Sequence, residues 1–119
     1  MSGDPGTRKG IMPEPPYIAV IFTAFRTEED AAGYAEAAAR MDQRAREMPG
    51  YLGLQSARDA EGFGLSVSYW ADLAAVARWK VELDHLEVQE IGRERWYAWY
   101  ETRVATVMRQ YDWVRKFSN

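Results

Sequence analysis

Apolar positions along this chain switch between a period of two and a period near 3.6, and the switches divide it into six elements. Tyr17 to Arg26 (YIAVIFTAFR) is apolar on both alternating sets, Ile18, Val20 and Phe22 against Ala19, Ile21 and Phe25. Such a run reads as a strand covered on both faces. Thr27-Glu28-Glu29-Asp30 then supplies capping residues and acidic charge for a helix N-terminus. In the alanine-rich stretch beyond, Tyr34, Ala38, Met41, Ala45 and Met48 recur at steps of four and three, one helical stripe facing a core. Pro49-Gly50 ends it. Tyr51 to Arg58 reads as a strand, Asp59-Ala60-Glu61-Gly62 as a hairpin turn, and Phe63 to Trp70 as the returning strand. Asp72 caps a short helix carrying Leu73, Val76 and Lys80. Asp84 with Glu87 three residues on has the form of a capping box, which predicts a second helical piece from His85 to about Arg95. Tyr97 to Met108 is the last strand, with Tyr97, Trp99, Glu101 and Arg103 facing one way and Tyr100, Thr102, Val104 and Thr106 the other.

The order strand, helix, strand, strand, helix, strand, without an internal repeat, predicts an α+β fold. Its expected form is a ferredoxin-like antiparallel sheet with the helices on one face. Two helices cover one sheet face, yet the strands are apolar on both. A second copy of the chain is the simplest cover for the other, so a homodimer packed through its sheet faces is expected. The folded domain is expected over residues 17–113. Residues 1–16 hold four of the five prolines (Pro5, Pro13, Pro15, Pro16) and read as a flexible leader, and 114–119 as a tail.

Composition narrows the chemistry. The length of 119 residues suits one domain, and 47% hydrophobic with 28% charged residues is ordinary for a globular chain. A net charge of −3, with no basic stretch interleaved with aromatics, argues against a nucleic-acid partner. No apolar run approaches the roughly 20 residues that span a bilayer, so no membrane partner is expected. The N-terminus lacks a basic-then-apolar secretory pattern, and the simplest compartment is the cytoplasm. The absence of cysteine removes disulfides and thiolates. With one histidine a zinc site would need three carboxylates, so no metal is expected.

What remains is aromatic. All five tryptophans (Trp70, Trp79, Trp96, Trp99, Trp113) follow residue 69, and the only histidine, His85, lies among them. Such a segment either holds a flat organic ligand or packs a core and an interface. As the first helical residue after an Asp84 cap, His85 would face a positive helix end that favours a neutral, proton-accepting ring. The alternative is a polar residue hydrogen-bonded beside the cap. Trp70 and Trp79 could sandwich a planar substrate or could be core. Arg103 either pairs with Glu101 at a sheet edge or across the dimer, or stabilises an anionic oxygen. Arg93, Glu94 and Arg95 with Glu87 and Glu90 read as a solvated helix face.

The segments VSYW (67–70), AVARWK (75–80) and HLEVQEIGRERWYAWYETRVATV (85–107) resemble the antibiotic biosynthesis monooxygenase family, within the dimeric α+β barrel superfamily. The resemblance runs from about Tyr17 to Tyr111 and looks closest to a poorly characterised bacterial branch. It implies a face-to-face dimer and a pocket between sheet and helices. It also implies either cofactor-free oxidation of a small aromatic or quinol-like compound by O₂, or haem binding and degradation. On that reading His85, Arg103 and Tyr100 are the expected catalytic residues, Trp70, Trp79, Trp99 and Phe22 the expected substrate contacts, and O₂ a co-substrate with no cofactor. The better-known branches use an asparagine on the first or second strand, whereas the one asparagine here is Asn119. The haem-degrading branch places a histidine ten residues after a helix tryptophan. That position is Gln89 and His85 comes six after Trp79, which argues against haem. A dimeric ligand-binding or stress-response module without turnover remains the alternative.

Overall fold

The computed structural model describes residues 12–116. Four strands, β1 (Tyr17–Arg26), β2 (Tyr51–Arg58), β3 (Phe63–Trp70) and β4 (Tyr97–Val107), form one antiparallel sheet in the order β2-β3-β1-β4. The centre of the sheet goes to the strand that is apolar on both sides. Ile18 lies between Trp70 and Thr106, and Phe22 between Ser66 and Thr102. Helix α1 (Ala31–Glu47) is capped by Asp30, and α2 (Leu73–His85) by Asp72, whose carboxylate accepts from the Ala75 N–H at 2.8 Å. This is the ferredoxin-like α+β fold that the element order predicts.

Both helices lie on one face. Ala45 of α1 and Ala75 and Trp79 of α2 close over Ile18 and Trp70. A second cluster joins Ala37, Val88 and Trp96 to Tyr34, Met41, Leu83 and Tyr97. The predicted stripe packs inward through Tyr34, Met41, Ala45 and Met48. Beyond Tyr97 and Tyr100, the edge strand β4 keeps Thr102, Val104 and Thr106 exposed on that side. The opposite sheet face carries Ala19, Ile21 and Phe25 with Phe63, Leu65, Val67 and Trp99. Phe63, Leu65 and Trp99 are each about two-fifths exposed there.

Two local expectations need correction. The capping box at Asp84 does not form: α2 continues through His85, and the Asp84 carboxylate takes the Lys80 ammonium at 3.1 Å. A one-turn helix, α3 (Val88–Ile91), begins instead at Glu87, which adopts a left-handed φ of 57°. Wider, π-helical winding follows over Gly92–Trp96. The face of Tyr97 is the second correction. A bulge opposite Phe25 and Arg26 inserts one residue, so Tyr97 joins Phe22 and Tyr100 on the helix side while Trp99 meets Phe63 on the other. Residues 1–11 of the predicted leader and 117–119 of the predicted tail lie outside the described residues. Among the described residues no helix is long and apolar enough to cross a membrane.

Candidate functional site

The site is built at the end of the sheet where β1 stops and β4 starts. The π-helical turn sends three side chains in three directions. Arg93 donates from Nη1 to the Tyr100 hydroxyl oxygen at 3.0 Å. Arg95 pairs with Glu29 at 3.1 Å and Asp30 at 3.4 Å, and the buried Trp96 donates from Nε1 to Asp30 at 3.1 Å. The Trp96 indole N–H, helped by Arg95 and the Gly33 N–H, holds the Asp30 carboxyl below the usual carboxylate range against the opposing effect of desolvation. Gly92 is required by close approach: a Cβ there would lie 2.9 Å from the Tyr97 ring.

Behind the turn the rings form a continuous wall. Phe22 lies 5.4 Å from Tyr100 and 5.6 Å from Tyr97, Tyr97 lies 5.7 Å from Tyr100, and Tyr34 of α1 lies 6.0 Å from Tyr97. Burial first, and then the neighbouring Tyr34, push the Tyr97 hydroxyl far above the usual phenol range, so it stays neutral. Two guanidinium groups share the Tyr34 side chain. Arg26 stacks 3.5 Å from the ring centroid while its Nε donates to the Trp96 carbonyl at 3.2 Å. Arg58 stands 5.0 Å from the same centroid and donates to the Tyr34 hydroxyl at 2.5 Å. Gly64 lies beneath it, at ordinary contact distance: a Cβ there would be 3.6 Å from the Arg58 guanidinium carbon.

Of the residues expected to act, only Phe22 and Tyr100 come together here. Trp70 is fully buried and Trp79 nearly so. They stack directly at 5.7 Å and 25°, leaving no slot between the rings, and the Trp70 indole N–H is satisfied by Ser68 at 2.9 Å. Trp99 sits on the helix-free face beside Phe63. Arg103 is on that face too, exposed, and 3.6 Å from Glu101 on its own strand. His85 is exposed at the C-terminal end of α2. The helix end it occupies therefore has the opposite polarity to the one expected.

Sequence reasoning missed Arg26, Arg58, Tyr34, Tyr97 and Arg93 as site residues. The readable signal was an arginine ending each of two strands and GRERWY after a helix. An open cleft of about 460 Å³ lies beside the same sheet end, lined by Phe25, Arg26, Glu28, Glu61, Gly62 and Ala98 among others. Neither His85 nor Arg103 lines it. Among the described residues no group of three or more His, Cys, Asp or Glu is placed to hold a metal ion.

Comparison with known proteins agrees with this fold. An uncharacterised protein of Bacillus subtilis, YqjZ, is 47% identical over 98 residues, covering 82% of this chain and 85% of its own. The fold is shared with SnoaB, a cofactor-independent oxygenase from Streptomyces nogalater. There the TM-score is 0.62 at 12% identity, over 82% of this chain and 97% of that one. It is shared equally with PA3566 from Pseudomonas aeruginosa, with a TM-score of 0.61 at 17% identity, over 86% and 100% of the two chains. The family model for antibiotic biosynthesis monooxygenases matches residues 17–91, from the first residue of β1 to the last of α3. On these grounds the chain belongs to the antibiotic biosynthesis monooxygenase family.

Proposed function

We propose that this protein is a cofactor-independent monooxygenase that oxidises a small aromatic or quinol-like compound, binding it against Phe22, Tyr97 and Tyr100. The observation that carries the reading is the Arg93 to Tyr100 hydrogen bond. Accepting from a guanidinium makes the Tyr100 O–H a stronger donor, and among the described residues that hydrogen has no acceptor. It is free to steady an anionic oxygen on a substrate. The exposed helix side of β4, with Thr102 and Val104 beyond Tyr100, offers a flat ring a surface to lie on.

The chemistry is that of an electron-rich aromatic anion. Loss of a proton lets it pass one electron to O₂, and the resulting radical and superoxide combine to form a C–O bond. Release of water from the peroxide leaves the carbonyl, so a CH₂ carbon and O₂ become C=O and H₂O. A residue that holds negative charge on the substrate oxygen lowers the barrier to the first electron transfer. The proton passes to solvent, since His85 stands exposed at the end of α2 and is not brought to these rings. We further propose that a second copy covers the helix-free face carrying Ile21, Leu65, Trp99 and Arg103, and that the protein works in the cytoplasm.

One observation favours a second reading, a binding module with no turnover. His85 is exposed at the end of α2, so nothing holds it to a fixed direction as a base would need. Oxygen uptake with a panel of quinols and anthrones separates the two. Saturable uptake that falls on Tyr100→Phe supports the oxygenase, and saturable ligand binding without uptake supports the binding module.

A further inference from the structure

Arg26, Arg58 and Arg93 share one property that aromatic packing does not explain. Among the described residues each contacts a tyrosine, and none forms an ion pair with a carboxylate. Asp30, whose carboxylate senses the Arg26 charge, is already engaged by Arg95 and by the Trp96 indole. This happens in a chain with 18 acidic against 15 basic residues, where a carboxylate for every arginine was available.

Holding two guanidinium groups on one ring with no counter-ion is unfavourable by Coulomb repulsion, and cation–π contact recovers only part of it. Both groups also keep donors unspent. Arg26 uses Nε on the Trp96 carbonyl, and Arg58 uses one amino group on the Tyr34 hydroxyl. The forked geometry of the remaining N–H groups matches a carboxylate or an ionised phenol. Arg58 is placed over Gly64, on the helix side of the sheet where the ring wall stands.

We infer that this sheet end is an anion subsite, and that the preferred ligand is an aromatic compound carrying an acidic oxygen substituent, a carboxylate above all. Arg58 and Arg26 take the anionic group, while Tyr97, Tyr100 and Phe22 take the ring. The inference rests on the proposed aromatic ligand and adds to it a charge requirement. Neutral hydrocarbons or amides of the same shape bind worse, because the two guanidinium groups then stay unneutralised.

The test is calorimetric titration of the full chain with a hydroxynaphthoate and with the hydroxynaphthamide of the same substitution pattern. The carboxylate is expected to bind about tenfold tighter or more, with affinity falling as salt rises. Arg58→Gln should bring it close to the amide, Arg58→Lys should restore part of the loss, and the amide should change by less than about twofold. Because Arg58 is exposed, these variants are expected to fold. Equal affinity of the wild type for the two compounds overturns the anion subsite and leaves the aromatic-ligand reading standing. Equal weakening of both by Arg58→Gln overturns it as well, by making Arg58 a packing residue. Binding of neither compound removes both readings.

Discussion

Two aromatic clusters lie on the same side of this sheet and serve opposite ends. Around Trp70 and Trp79 the rings stack on each other under Ala45 and Ala75, and the Trp70 indole N–H is paired to Ser68. Around Tyr97 and Tyr100 the rings meet at edges, carry hydroxyls and are capped by three arginines. The first cluster holds the fold, and the second is the one we propose meets a ligand. Aromatic content alone does not separate such roles. Polar partners and residual exposure do.

If this contrast is right, Trp70→Ala should be the most damaging substitution, at about 3–5 kcal/mol in denaturant unfolding, because a fully buried ring leaves a cavity that its neighbours cannot fill. A loss under about 1 kcal/mol would mean the stack is dispensable and would erase the distinction. Gly92→Ala should cost about 1–3 kcal/mol, since the added carbon meets the Tyr97 ring at 2.9 Å and must displace it. The turn should therefore transmit this damage to the functional cluster, and near-UV circular dichroism of the tyrosines would report it. Tyr100→Phe should leave stability within about 1 kcal/mol, consistent with loss of a single half-exposed hydrogen bond, while depressing turnover up to about a hundredfold. Unchanged turnover would return Tyr100 to the packing class.

The smallest effects concern pH. Asp30 is depressed in the folded state, so its contribution is present above the ordinary carboxylate pKa and is lost as pH falls through the lower folded value. Thermal melts should therefore show stability declining below about pH 4, and Asp30→Asn should flatten that decline. Tyr97 is raised, so the folded state keeps a proton the unfolded chain releases. Stability should then fall as pH climbs past about 10, an effect that Tyr97→Phe removes.

Much of the fold was legible because it depends on local rules. The alternation in YIAVIFTAFR, the Asp72 cap and the four-residue turn after Arg58 each state their structure within a few residues. The errors came where a local rule met competition. Asp84 satisfied a capping pattern, yet Lys80 one turn earlier claimed its carboxylate and α2 ran on. Strand alternation assigned Tyr97 to the face of Trp99, but a bulge added one residue and turned it over. The site was less legible still. Tyr34, Arg26 and Arg58 come from three elements, Tyr34 and Arg58 being 24 residues apart, and only the packing of α1 on the sheet brings them together. Phe22 and Tyr100 were recoverable because an aromatic inside a strand has only two faces to choose from.

The central claim is that the tyrosine cluster turns over an aromatic ligand, and oxygen consumption tests it most directly. Wild-type protein and Tyr100→Phe should be compared with a quinol and anthrone panel in an oxygen electrode with a metal chelator present. The account predicts saturable uptake of one O₂ per substrate oxidised, and a rate cut strongly in Tyr100→Phe while its melting temperature is nearly unchanged. Uptake that is absent for every compound, or equal in the two proteins, would contradict it.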